Sequence, residues 1–355
     1  MESPCITTVL TTYKRPQLLR RAIRSVLNQS HRNLKLCIYD DGSDDDTEAI
    51  VQTFARGDGR VSYCRRPTRL GQALNYETAV AAVTTEFFSI LADDDILMPR
   101  FYETALAGFE QNPQAMATIG ITVIFDARKG RVVGCSSAIN YPSGFYDGTR
   151  GYLKMAVETP PTWTGILFRR DAIRRVGPPR GSIEYLDFDF VLRVGALCPY
   201  AVFHEPVAVF TAHQGSVSAE VLPRLMAQGH LQTIADLTAD ERIAVRARDA
   251  ARAVLLERYK RTLLRAACAA TADGQHQRAS EALRALRQAP DTGAMWTLVP
   301  AAVRILSHAA ALTRPLMKSW RFGSHALRRS RAELAEACWH DCERYYHFLT
   351  ESECR

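Results

Sequence analysis

The sequence predicts an α/β fold: an open, Rossmann-like sheet of mainly parallel strands with helices on both faces, followed by a helical C-terminal extension. Three observations carry this reading. From Ile6 onward, short β-rich apolar runs alternate with longer helical periods, the pattern of βαβ units. Successive strands end in polar clusters, Thr11-Thr12-Tyr13, Asp40-Asp41 and Asp93-Asp94-Asp95. From about Ser218 the composition turns to Ala, Arg and Leu with helical period and no strands.

Each element has a local reason. Ile6 to Thr12 reads as the first strand. Pro16 suits a first helical position, and Leu18, Leu19, Ala22, Ile23, Val26 and Leu27 then share one face up to the Asn28-Gln29 break. Leu34 to Tyr39 is a strand that stops at Asp40-Asp41-Gly42-Ser43, where Ser43 or Asp44 can cap the helix carrying Ile50, Val51 and Phe54. Val61 to Cys64 is a third strand, Gln72 to Val83 a third helix and Phe87 to Leu91 a fourth strand, ending at Ala92-Asp93-Asp94-Asp95. A helix follows Pro99, then mixed strands between Met116 and Val133 and a Gly- and Tyr-rich segment from Asn140 to Tyr152. Trp163 to Phe168 reads as a buried strand, Leu186 to Leu197 as a helix and Ala201 to Thr211 as a strand pair broken at Pro206. The expected domains are 1–218, with halves meeting near residue 98, and a helical 219–355.

Composition narrows the class. With 47% hydrophobic and 23% charged residues over 355 positions, the chain is of globular type, which excludes disordered, collagenous and small disulfide-stapled proteins. The net charge of +7 is uneven: residues 1–219 hold 24 basic against 23 acidic side chains, so the excess belongs to the C-terminal part. The nine cysteines form no Cys-x-x-Cys pair, as expected for a reducing, cytoplasmic compartment. The N-terminus lacks the basic and apolar regions of a signal peptide. The longest apolar region, Trp296 to Met317, is interrupted by Pro300, Arg304, His308, Arg314 and Pro315, so it is expected to lie on a surface or pack rather than span a bilayer.

In an open α/β sheet, ligands bind at the C-terminal strand ends, so the three polar clusters should line one crevice. Asp93-Asp94-Asp95 is the most informative of them. Three adjacent carboxylates repel one another, which suits a hard divalent cation beside a diphosphate; the structural alternative is a solvated acidic turn that caps a helix. Asp40-Asp41 is either a ligand site or an ordinary turn. Gly71 before the third helix could leave backbone N–H groups near a phosphate.

Thr11-Thr12-Tyr13-Lys14-Arg15-Pro16, Ser25-Val26-Leu27-Asn28-Gln29, Asp40 to Thr47 and Leu91 to Pro99 together resemble the successive signatures of family-two inverting glycosyltransferases with the GT-A fold. The resemblance implies a nucleotide-sugar donor, with Thr11, Tyr13, Arg15, Asp41, Gly71, Asn75, Asp93, Trp163 and His213 on the donor side. By the family pattern Tyr13 stacks on the base, Asp41 accepts a base N–H, and Asp94, the D-x-D carboxylate, meets a divalent metal, Mn2+ or Mg2+, with the diphosphate. The first position of that motif falls on Ala92, which leaves Asp93 or Asp95 to supply the other carboxylate contact; Asp95 is expected at the metal with Asp94. An acceptor at Asp41 selects uracil or thymine, which offer N3–H, with guanine next and cytosine excluded because its N3 accepts.

Tyr185 to Arg193 is similar to the segment in which an acidic residue opens a helix as catalytic base, and Asp187 falls there; Glu184 is the rival carboxylate. A helix cap at Asp187 and an Asp189–Arg193 salt bridge are the structural alternatives. Thr211 to Ser218 resembles the loop closing the catalytic domain, in which His213 touches diphosphate or metal. Trp163 and Thr164 stand where the sugar or acceptor pocket begins, or in the core. The implied activity is metal-dependent, inverting transfer to a glycan, lipid-linked or other hydroxyl acceptor. A non-catalytic sugar-nucleotide-binding scaffold and a nucleotidyltransferase are the alternatives.

Two further patterns point elsewhere. Cys338, His340, Cys342 and His347 match no common zinc spacing, and an amphipathic terminal helix explains them better. The short basic run Arg328-Arg329-Ser330-Arg331 comes with no nucleic-acid module, so no nucleic-acid partner is expected. Arg304, Ser307 or His308, and Arg314 fall near one basic stripe of an otherwise apolar helix, and Lys318, Arg321, Arg328, Arg329 and Arg331 follow, which suits either peripheral contact with an anionic membrane or a helix packed on the catalytic domain.

Overall fold

Strand registers explain why the polar clusters meet. The computed structural model describes residues 3–181, 185–213, 223–291, 296 and 325–351. Its single 10-stranded sheet runs in the order β3-β2-β1-β4-β9-β6-β10-β5, with β7 on β6 and β8 on β10. β1 (Ile6–Thr12), β2 (Leu34–Asp40), β3 (Val61–Arg65) and β4 (Phe87–Ala92) are mutually parallel. Thr12 pairs with Asp40, and Thr11 with Ala92, so three polar strand ends lie side by side.

The second half of the sheet is mixed. β5 (Ile96–Leu97) follows the acidic turn, and β6 (Ala117–Asp126) pairs parallel with β10 (Tyr200–Ala212). β7 (Arg131–Cys135), β8 (Gly144–Tyr146) and β9 (Ile166–Arg169) pair antiparallel with their neighbours. Two sequence expectations are corrected here. The run from Trp163 begins as a 3-10 turn, Trp163–Gly165, before β9. The expected strand pair at Pro206 is one strand, β10, whose register shifts between Val202 and Ala208, because proline lacks the N–H the ladder needs.

Helix α1 (Pro16–Leu27) shows how sequence sets packing. Leu19, Ala22, Ile23 and Val26 are fully buried against the sheet in a cluster with Ile6, Leu10, Leu36 and Ile38. Its buried polar residues hold the segment after the acidic turn. Ser25 Oγ accepts the N–H of Leu97 at 3.1 Å, and Gln29 Nε2 donates to the Met98 carbonyl at 2.7 Å. Helix α2 is Thr47–Gly57, α3 Gln72–Ala81, α4 Phe101–Gln111, α5 Gly148–Glu158, α6 Arg170–Val176 and α7 Leu186–Leu197. The α2 cap differs from the expected Ser43 or Asp44. Asp46 holds the N-cap position and Asp45 Oδ1 accepts the N–H of Thr47, while Ser43 is drawn to Asp40 Oδ1 at 2.6 Å.

The chain divides into two units, residues 1–214 with 331–355, and residues 215–330. The second unit contains α8 (Pro223–Ala239), α9 (Val245–Ala272) and α10 (His276–Arg287), with Tyr259, Leu263, Ala267, Leu283 and Leu286 in its core. The last helix, α11 (His325–Glu351), departs from the expectation of one C-terminal helical domain over 219–355, because its end belongs to the first unit. Cys342, Tyr346 and Leu349 form a helical stripe buried with Ile96, Met98, Val123, Phe125 and Val209, which explains the Cys338–Cys342 spacing by packing. Glu184 and the basic stripe at 304–321 lie outside the described residues. No helix among the described residues is long and apolar enough to cross a membrane.

Candidate active site

At the end of β4, Asp93, Asp94 and Asp95 are only 4%, 8% and 1% exposed. The three carboxylates have different partners. Asp93 Oδ2 accepts Thr12 Oγ1–H at 2.8 Å, and its Oδ1 accepts an Arg15 N–H at 3.1 Å. Asp94 Oδ2 accepts the same Arg15 nitrogen at 3.0 Å and stands 3.0 Å from His213 Nε2. Asp95 uses both oxygens within the fold: Oδ1 accepts the Thr211 N–H at 3.0 Å and Oδ2 the Thr164 hydroxyl at 2.8 Å. Asp95 therefore ties the acidic turn to β10 and to the 163–165 turn.

The electrostatics are unbalanced. Burial, and then the charge of Asp94, push Asp93 up to about 6, against Arg15 and Thr12. Burial raises Asp95 well above the usual carboxylate range, with Asp94 adding to the effect. Burial works against the Arg15 guanidinium, but Asp93 and Asp94 more than offset it and hold its pKa above the ordinary value. Such a cluster fits a divalent cation, and Asp94 with His213 offers the carboxylate and imidazole donors that Mn2+ accepts. Among the described residues no group of three or more His, Cys, Asp or Glu is arranged to hold a metal, so further ligands would come from water or a bound diphosphate.

A second cluster forms one wall at the ends of β1 and β2. Asp41 is buried, and its oxygens accept the N–H groups of Leu70 at 2.7 Å and Gly71 at 3.0 Å. Each oxygen keeps a further lone pair. The Arg69 guanidinium lies 4.1 Å from the centroid of the half-buried Tyr13 ring, and its Nε is 3.7 Å from Asp41. Gly42 adopts φ +82°, and a Cβ there would stand 3.4 Å from the Arg66 carbonyl, so this turn favours glycine. Asp40 organises the turn instead of facing a ligand, accepting from Ser43 and from the Tyr63 hydroxyl at 2.6 Å.

Other expected donor-side residues have structural partners. Gly71, at φ +86° before α3, gives its N–H to Asp41. Asn75 is buried, donating to the Tyr39 carbonyl at 2.9 Å and accepting from Arg66 at 3.2 Å. Thr11 is buried in the middle of the strand-end row, between Tyr39 and Ala92. Trp163 is 7% exposed, with its ring 4.8 Å from Tyr76.

Asp187 lies in the first turn of α7, one residue inside Leu186, and its Oδ1 accepts the N–H of Phe188 at 2.7 Å. Burial raises its carboxyl above the usual range, with the Phe188 N–H opposing. Asp189 and Arg193 form a buried salt bridge of 2.7 Å, and Arg193 also donates to the carbonyls of Val176 and Pro178. Sequence reasoning placed Thr12 in the crevice and Thr164 beside the sugar pocket, but it missed the bonds by which Thr12 holds Asp93 and Thr164 and Thr211 hold Asp95, and it missed Arg69. The Thr-Thr-Tyr run and the Thr beside Trp163 were the available signals.

This open sheet with a buried acidic cluster at its parallel strand ends is a GT-A-type fold. Over residues 7–177 the chain matches the family described as Glycosyl transferase family 2. It is 32% identical over 96 residues to the GalNAc(5)-diNAcBac-PP-undecaprenol beta-1,3-glucosyltransferase of Campylobacter jejuni, covering 27% of this chain and 31% of that one. It is 30% identical over 140 residues to the chondroitin synthase of Escherichia coli, covering 39% of this chain and 20% of that one. The chain thus spans about a third or less of these relatives' length. Residues 1–349 of S. aureus TarS in complex with UDP-GlcNAc superpose at a TM-score of 0.62 and 15% identity, covering 90% of this chain and 92% of that one. The mannosyltransferase PcManGT of Pyrobaculum calidifontis, in complex with GDP-Man and Mn2+, gives 0.55 and 18% identity, covering 94% and 86%.

Proposed function

We propose that this chain is an inverting, metal-dependent glycosyltransferase that moves a sugar from a UDP-sugar to a hydroxyl on a glycan or lipid-linked acceptor. The observation that carries the reading is the buried Asp93–Asp94–Asp95 strand end with Arg15 and His213 drawn onto Asp94. The relative whose name includes PP-undecaprenol supports the acceptor class, the neighbour bound to UDP-GlcNAc supports the donor, and the neighbour bound to GDP-Man and Mn2+ supports the metal. The C-terminal basic stripe supports a peripheral position on an anionic membrane.

Each residue then has a task. Tyr13 offers a ring face to the base, and Asp41 accepts its N3–H on a remaining lone pair. Asp94 and His213 would hold the metal, which when bound supplies positive charge to the departing diphosphate. Arg15 brings a fixed cation to the same edge. Asp187, with its raised pKa, takes the proton from the acceptor hydroxyl as that oxygen attacks the anomeric carbon in line, and the configuration inverts. A panel of nucleotide sugars assayed for nucleoside diphosphate, with Mn2+ or with chelator, tests this reading; release of pyrophosphate instead would mark a nucleotidyltransferase.

A further inference from the structure

The acidic turn is held from behind by the far end of the chain. Arg21, on α1, is 6% exposed, and it bridges two groups remote in sequence. One terminal nitrogen donates to the Tyr346 hydroxyl at 3.2 Å, across 325 residues, and the other to the backbone carbonyl of Asp94 at 3.4 Å. The guanidinium carbon also sits 5.5 Å from the centroid of the Tyr346 ring. Tyr346 itself is 4% exposed, with its ring 4.7 Å from Phe125 and 5.4 Å from Trp339. The same cluster takes in Ile96 and Met98, the residues that leave the acidic turn.

A buried guanidinium is costly unless its donors are satisfied. Arg21 meets that cost partly with the Asp94 carbonyl and partly with the Tyr346 hydroxyl of α11, while its Nε–H finds no partner among the described residues. Removing that hydroxyl leaves the guanidinium short of a partner at the point where it grips the acidic turn. Side-chain packing at Ile96 and Met98 and hydrogen bonding at Asp94 thus both run from α11 to the same few residues.

We propose that Tyr346 is a positioning residue of the donor site: it fixes Arg21, and Arg21 fixes the Asp94 peptide, so α11 is a working part of the catalytic unit. The proposal rests on the reading of Asp94 as the donor-side carboxylate. The coupling itself can be measured without a donor.

The test uses the full chain and four forms: parent, Tyr346→Phe, Arg21→Gln and the double variant. Two quantities are read, amide hydrogen exchange over residues 93–97 and the Mn2+-dependent affinity for UDP by calorimetry. Tyr346→Phe keeps the ring and should melt near the parent temperature. Its amides at 93–97 should exchange about three- to tenfold faster, and UDP with Mn2+ should bind weaker by a similar factor, the size of one hydrogen bond. The double variant should be no worse than Arg21→Gln alone, because both residues act through one path. In turnover, the loss should raise KM for the donor more than it lowers kcat. Unchanged exchange at 93–97 in Tyr346→Phe, or additive losses in the double variant, overturns the proposal. Faster exchange in a chain whose parent form binds no nucleotide would uphold the coupling and overturn the donor-site reading.

Discussion

Asp94 Oδ2 and His213 Nε2 stand 3.0 Å apart although 119 residues separate them. β4 delivers the first and the end of β10 the second, so sheet order rather than local sequence makes the pair. His213→Ala should weaken Mn2+-dependent binding of UDP by at least about tenfold, with little change in melting temperature. A Mn2+ titration of UDP affinity checks this, and an unchanged curve would leave Asp94 as the only protein donor.

Base selection should follow the Tyr13 and Asp41 wall. UDP and TDP should bind tightest, GDP next and CMP weakest, because only the first three present a ring N–H to a carboxylate. Tyr13→Ala should cost about 1–3 kcal/mol for any base, since stacking is insensitive to base identity. Calorimetry with the four nucleotides gives the order, and tightest binding to CMP would sink the Asp41 assignment.

The raised carboxyl of Asp187 fixes the sign of a pH effect. Burial favours its neutral form, and a base works only when ionised, so turnover should fall on acidification at a pH above the ordinary carboxylate value. Asp187→Asn should remove that limb, slow transfer by at least about a hundredfold and leave UDP and metal binding intact. The variant should melt at or slightly above the parent temperature at neutral pH, because an ionised buried group has gone. Transfer at near-parent rate would reduce Asp187 to a helix-end residue.

In the second unit, burial, with Arg258 adding, lowers the His230 pKa to about 3, and the ring packs edge-on to Tyr259 at 5.4 Å. Between about 3 and the ordinary 6.5 the unfolded chain binds a proton that the folded chain refuses. Stability should therefore rise with pH through that window, by up to about 1.4 kcal/mol per pH unit from this group, and level off above it. His230→Phe should flatten the slope in denaturant titrations at pH 4.5 to 6.5. An unaltered slope would show that His230 is not the group responsible.

Much of this was legible in the sequence because local rules sufficed. The strand ends Thr12, Asp40 and Ala92 follow from βαβ periodicity, and parallel register brings them together. Asp189 and Arg193 at helical spacing gave their own salt bridge. What stayed hidden depends on tertiary partners. Arg21 reads as one more arginine of a basic helix, and nothing local pairs it with Tyr346. Asp95 looks like a third metal carboxylate until Thr164 and Thr211 occupy its oxygens. Ser43 has the chemistry of a cap, but its hydroxyl donates to Asp40 and accepts the N–H of Lys14 instead of a helix N–H.

The most direct measurement is product analysis with the preferred nucleotide sugar and an acceptor, comparing the parent chain with Asp94→Ala in Mn2+ and in chelator. The parent should release nucleoside diphosphate and form a glycoside of inverted anomeric configuration only with metal. Asp94→Ala should stay folded and yield neither product. Retained configuration, pyrophosphate release, or metal-dependent turnover that survives Asp94→Ala would contradict the proposed function.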